Sequence, residues 1–171
     1  ADMHFALGNL FRRRGEIERA IRVHQNLLAR PDLPLEQRTQ AQYELGMDYL
    51  KAGLLDRAEE TFNSLVEGSY SVQARKALLE IYQREKEWSR AIDAAAGLQS
   101  SGAGARQKEI AQFYCELAQD ALVRNDLADA LALLDKGLHA DRNSVRATML
   151  LGDVLLAQGD VEAAIATWKR V

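Results

Sequence analysis

The sequence predicts an all-α chain, a right-handed superhelical solenoid of about five antiparallel helix pairs. Three observations predict it. A leucine and a following residue, usually small, recur five times, each with an alanine twelve positions after that anchor: Leu7-Gly8 with Ala20, Leu45-Gly46 with Ala58, Leu78-Leu79 with Ala91, Leu117-Ala118 with Ala130 and Leu151-Gly152 with Ala164. Seven residues after the anchor, Gly15, Gly53, Asn125 and Gly159 mark a turn that needs a left-handed residue. The composition is 47% hydrophobic, rich in Ala and Leu, with only two prolines, which suits helix almost throughout.

Each residue type has a packing reason. Gly8, Gly46, Ala118 and Gly152 leave room on the first helix of a pair (helix A), and Ala20, Ala58, Ala91, Ala130 and Ala164 do so on the second (helix B). Small residues at a crossing let two axes approach while larger neighbours fill the flanks. Those neighbours are Phe11, Tyr49, Tyr82 and Leu155 three residues after the helix A anchor, and Phe62, Leu134 and Trp168 four after the alanine. Such spacings share one helical face. An apolar residue opens each helix B (Ile17, Leu55, Trp88, Leu127, Val161), with Glu16, Asp56, Glu87, Asp126 and Asp160 beside it at the positive helix end.

The anchors lie 38, 33, 39 and 34 residues apart, and a period of about 34 with this internal signature points to the tetratricopeptide repeat. The repeats fall at about 1–34, 35–70, 71–104, 105–142 and 143–171. Helices are expected at roughly 2–14 and 16–29, 35–52 and 55–67, 71–85 and 87–99, 105–124 and 127–139, and 143–157 and 161–170. Pro31–Pro34 and the Ser/Gly run Ser100–Gly104 are the two insertions, the second the better hinge. The third repeat is the least regular, with Leu79 at the small-residue position and Lys86 at the turn. The last helix B stops at Val171 with Trp168 on a face that should meet a further repeat, so the chain reads as a piece of a longer array whose open end invites self-association.

Composition narrows the function classes. No apolar stretch approaches the ~18 residues of a membrane span. Cys115 is the only cysteine, so no intramolecular disulfide forms, and His4, His24 and His139 are scattered without metal-ligand spacing. Cys115 sits at an inward position and reads as packing, and the histidines read as partly buried or surface residues. No convergent acid, base or nucleophile points to an enzyme. Net charge is −3, which argues against nucleic acid. It is uneven: residues 1–30 carry six basic and three acidic groups, residues 31–67 three and eight. The run Arg12-Arg13-Arg14 suits a solvated helix C-terminus, or contact with an acidic partner or anionic headgroups.

Several segments go beyond a generic repeat. The stretch LGNLFRRRGEIERAIRVHQNLL (7–28) resembles the early repeats of the lipopolysaccharide assembly protein B family, as do ELGMDYLKAGLLDRAEETFNSL (44–65), EWSRAIDAA (87–95) and IAQFYCELA (110–118). The resemblance is collinear over essentially the whole chain. It implies an adaptor of the bacterial inner membrane, with an N-terminal anchor, a cytoplasmic repeat domain and a C-terminal rubredoxin-like zinc module. Such an adaptor links the FtsH protease to the LpxC deacetylase and so restrains lipopolysaccharide synthesis. Neither anchor nor four-cysteine module lies within these residues, so no cofactor is expected here. The alternative is a tetratricopeptide scaffold or envelope assembly factor unrelated to lipopolysaccharide control.

In a right-handed stack, helices A line the concave face. Exposed groups expected there are Asn9, Arg12 and Arg13, then Tyr43, Met47 and Lys51, then Lys76, Glu80, Gln83 and Arg84. This mixture suits a protein ligand held by apolar anchors and charge-assisted bonds. Tyr43 and Met47 could equally pack between adjacent helices. A carboxylate clamp built on repeated Lys and Asn is not expected, because Phe5 stands at the first lysine position and Glu44 at an asparagine position.

Overall fold

A computed structural model describes all residues, 1–171. It contains ten helices and no strand: α1 (Asp2–Arg13), α2 (Ile17–Leu28), α3 (Leu35–Lys51), α4 (Leu55–Asn63), α5 (Ser71–Arg84), α6 (Trp88–Ser100), α7 (Gln107–Val123), α8 (Leu127–Ala140), α9 (Val145–Ala157) and α10 (Val161–Trp168). The all-helical fold class read from the sequence is the observed one. The chain forms two compact units, Ala1–Ile81 and Tyr82–Val171, the boundary falling inside α5.

In the first unit α1 packs on α2, α2 on α3 and α3 on α4, and α1 also touches α3. The anchors work as close-approach points. A Cβ added to Gly8 would meet His24 Nε2 at 2.5 Å, and one added to Gly46 would meet the Phe62 ring at 2.9 Å. His24 thus takes in the first repeat the place Phe62 takes in the second, four residues after the helix B alanine. Phe5, Leu27, Leu33 and Ala41 form a buried cluster, so the Pro31–Pro34 insertion is pinned by Leu33. Arg38 donates to the carbonyls of Leu28 (3.0 Å) and Arg30 (2.8 Å), satisfying acceptors that the end of α2 leaves open. Helix α4 stops at Asn63, four residues short of the expected end. A turn follows in which Gly68 takes φ +123°, a value unsuited to helix.

In the second unit α6 packs on α7, α7 on α8 and α9, α8 on α9, and α9 on α10. Cys115, Ala118, Ala121, Ala130, Leu134, Ala147 and Val154 form its buried cluster, and Trp88 stacks on Phe113 with centroids 5.7 Å apart. Asp126, Ser144 and Asp160 cap α8, α9 and α10 by accepting from the backbone N–H three residues on. The Ser100–Gly104 link is tied by Arg106 N donating to Gln99 Oε1 at 2.6 Å. Lys86 adopts φ 57°, as does Asn125, so the irregular repeat keeps the left-handed turn without a glycine.

Candidate protein-binding site

The first unit holds a buried ionic group where the third and fifth repeats hold buried hydrocarbon. Asp48, two residues after the anchor Gly46, is fully buried; the matching residues Ile81 and Val154 are fully buried and apolar. Its Oδ2 accepts from His24 Nδ1 at 2.5 Å and its Oδ1 from Arg12 Nη1 at 3.0 Å. Because a carboxylate only accepts, Nδ1 carries a proton. Arg12 Nη1 also donates to the Glu44 carbonyl at 3.2 Å and lies 2.7 Å from Glu44 Oε2, an ion pair without hydrogen-bond alignment. Burial disfavours the Arg12 charge, but the bonds to Glu44 and Asp48 outweigh it and hold the guanidinium above its ordinary pKa. The three helices α1, α2 and α3 are thereby bound through one set of charges.

Beside this group Tyr43 stacks on Tyr70, centroids 4.8 Å apart, and meets Phe62 edge-on at 6.0 Å. Burial and the nearby Glu44 charge raise the pKa of both tyrosines. A related bridge occurs in the second unit. Arg146 at the start of α9 donates to Gln112 (3.1 Å), Glu116 (2.9 Å) and Gln119 (2.7 Å), all on α7. Each bridge joins one helix A to the next.

The candidate surface residues are distributed as follows. Arg13, Lys51, Lys76, Glu80 and Arg84 are exposed, and Asn9, Met47, Tyr43 and Gln83 are half-buried. Gln83 and Arg84 fall beyond Ile81, in the second unit. Arg12 departs from the exposed position expected of it: its side chain is only 19% exposed because Glu44 and Asp48 draw it inward. The rest of the basic run, Arg13 and Arg14, remains in solvent. Sequence reading missed Asp48 and His24 as members of this group. For His24 a signal existed, since it stands at the Phe62 position; for Asp48 none did, since the fourth repeat carries an exposed aspartate, Asp120, at the same place.

No group of three or more His, Cys, Asp or Glu side chains is arranged to hold a metal ion, and no helix is long and apolar enough to cross a membrane. Cys115 is buried, which raises its thiol pKa despite the nearby Arg146 charge. That environment suits packing rather than nucleophilic chemistry.

The sequence matches the tetratricopeptide repeat family over residues 5–71, 43–106 and 115–170. The chain belongs to the tetratricopeptide repeat family. Among curated proteins it is similar to "Lipopolysaccharide assembly protein B" of Escherichia coli (strain K12), with 46% identity over 171 residues, 99% of the chain. The protein of the same name from Haemophilus influenzae is 35% identical over 99% of the chain. The chain spans 44% and 43% of the lengths of these two relatives. The resemblance read from the repeat segments is therefore shown. Among solved structures, a crystal structure of MamA protein superposes with TM-score 0.57 at 20% identity, covering 98% of this chain and 87% of that one. MamA from Desulfovibrio magneticus RS-1 superposes with TM-score 0.52 at 15% identity, covering 99% and 91%. At these identities the likeness concerns the fold alone.

Proposed function

We propose that the chain is a non-catalytic adaptor domain that helps restrain lipopolysaccharide synthesis by linking the FtsH protease to the LpxC deacetylase. It does so at the cytoplasmic face of the bacterial inner membrane. The observation that carries this reading is the collinear 46% identity, along 99% of the chain, with a protein named for lipopolysaccharide assembly. The repeat fold fits the role, since stacked helix pairs offer extended surfaces to protein ligands. On this reading the contact surface lies on the helices A of the first unit. Arg13, Lys51 and Lys76 offer charge there, and Asn9, Met47 and Tyr43 offer amide and apolar groups.

Arg12 is a poor probe of that surface because its loss would unpair buried Asp48. The test is a pull-down of the chain against purified LpxC and FtsH, with Arg13→Glu, Lys51→Glu and Lys76→Glu combined. The parent should capture at least one partner and the triple variant should lose it while keeping its helical circular dichroism. Undiminished capture by the triple variant would remove this surface from the proposal. No capture by the folded parent would remove the partners.

A further inference from the structure

We infer that Asn9 and Arg13 of α1, with Tyr43, Met47 and Lys51 of α3, take an extended acidic protein segment whose two carboxylates lie three residues apart. The inference rests on the contact surface proposed above and adds the chemistry of its ligand. Arg13 follows Gly8 by five residues and Lys51 follows Gly46 by five, so both hold one place in their repeats. That place is exposed in later repeats too, where Arg84 and Val123 hold it. Its openness therefore belongs to the repeat and not to an end of the chain. Spacings of four put Asn9 and Arg13 in one stripe of α1, and Tyr43, Met47 and Lys51 in one stripe of α3. The Arg12–Asp48 bond ties the two helices at this level, one residue before Arg13 and three before Lys51.

The charge at this surface is available. Arg12, Arg19, Arg106, Arg124 and Arg146 are each paired with a carboxylate, whereas Arg13 and Lys51 have no ionic partner. Glu44 and Asp48, the acids of this part of α3, are held by Arg12. Asn9 Oδ1 has no hydrogen-bond partner, and a segment laid across α1 satisfies it with a main-chain N–H. Half-buried Met47 and Tyr43 give an apolar side chain a footing beside the cations. Spacing decides the form of the ligand. Packed helices lie about 8–10 Å apart, which sets the separation of the two basic stems. A polyproline II segment rises about 3.1 Å per residue with three residues per turn, so residues three apart share one side at about 9 Å. A β-strand turns residues three apart to opposite sides. Lipid phosphate only accepts hydrogen bonds and leaves the Asn9 acceptor open, whereas a main chain donates as well.

The test is fluorescence anisotropy of labelled twelve-residue peptides with the intact chain at low salt, with circular dichroism as the control for folding. The first peptide carries two glutamates three residues apart with a leucine between them, in an alanine, proline and serine background. Others set the glutamates side by side or six apart, or replace both with glutamine. The first should bind saturably, and each of the others roughly tenfold more weakly. Arg13→Glu with Lys51→Glu should lose the first peptide and bind its counterpart carrying lysines for glutamates. Lys136→Glu, exposed on α8, should change nothing. Equal binding at all spacings, undiminished binding by the double variant, or no binding by the folded parent would overturn the inference. Flotation of the parent with phosphatidylglycerol vesicles, lost in the double variant and with no peptide bound, would assign the cations to lipid instead. The pull-down with LpxC and FtsH reads separately. Capture there without peptide binding removes only the ligand chemistry, and peptide binding without capture removes only the partners.

Discussion

The imidazole of His24 rests on Gly8, so that a methyl group at residue 8 would sit 2.5 Å from Nε2. His24 cannot retreat freely, since its Nδ1 is held by Asp48 and the side chain is fully buried. Gly8→Ala should therefore destabilise the chain by about 1–3 kcal/mol through overpacking. The urea midpoint measures this, and a change under about 0.5 kcal/mol would show that α1 and α2 are not in such close contact.

Asp48 should be the most sensitive polar position in the first unit. Asp48→Ala leaves Arg12 with Glu44 alone and His24 Nδ1 unpaired, and breaking a buried ion pair from one side costs about 3–5 kcal/mol. Replacing the buried carboxylate and imidazole together, with Asp48→Leu and His24→Phe while Arg12 stays paired with Glu44, should recover most of that loss. It restores the hydrocarbon that Ile81, Val154 and Phe62 supply elsewhere. Chemical denaturation of both variants tests the pair of outcomes; equal stability of the single and double variants would contradict it.

Lys86 holds φ 57° at an exposed turn. Its left-handed conformation costs an ordinary residue about 1–2 kcal/mol, partly offset by the greater backbone freedom a glycine loses. Lys86→Gly should raise stability by about 0.5–1 kcal/mol. A fall in melting temperature would refute this.

Burial raises the pKa of the Cys115 thiol and of the Tyr43 and Tyr70 hydroxyls. The folded chain therefore keeps protons that the unfolded chain releases at alkaline pH. Their contribution to stability is fully present below the ordinary thiol and phenol values and is lost as pH rises through the folded ones. Unfolding free energy should fall above about pH 9, with Cys115 unreactive to a thiol reagent until the chain opens. Alkylation at the rate of a free thiol in the native state would contradict the burial.

Much of the fold was legible because the helix-pair crossing demands small residues at fixed intervals. Gly46 announced Phe62, and Asn125 announced its own turn. Lys86 was legible as an irregularity, though not as a residue that keeps the turn. Arg12 was not legible as a buried group. Its partner Asp48 lies 36 residues away, and local spacing in α1 treats a run of three arginines as one solvated end. Only the docking of α3 on α1 and α2 separates Arg12 from Arg13 and Arg14. Tyr43 has a similar history, since its stacking on Tyr70 depends on where the turn after α4 delivers that ring.

The adaptor role stands or falls on direct binding. Titration calorimetry of the purified chain with LpxC, repeated with the cytoplasmic part of FtsH, measures it most directly. Saturable binding to at least one of them is expected, abolished by combining Arg13→Glu, Lys51→Glu and Lys76→Glu. A folded chain that gives no heat with either partner would contradict the role.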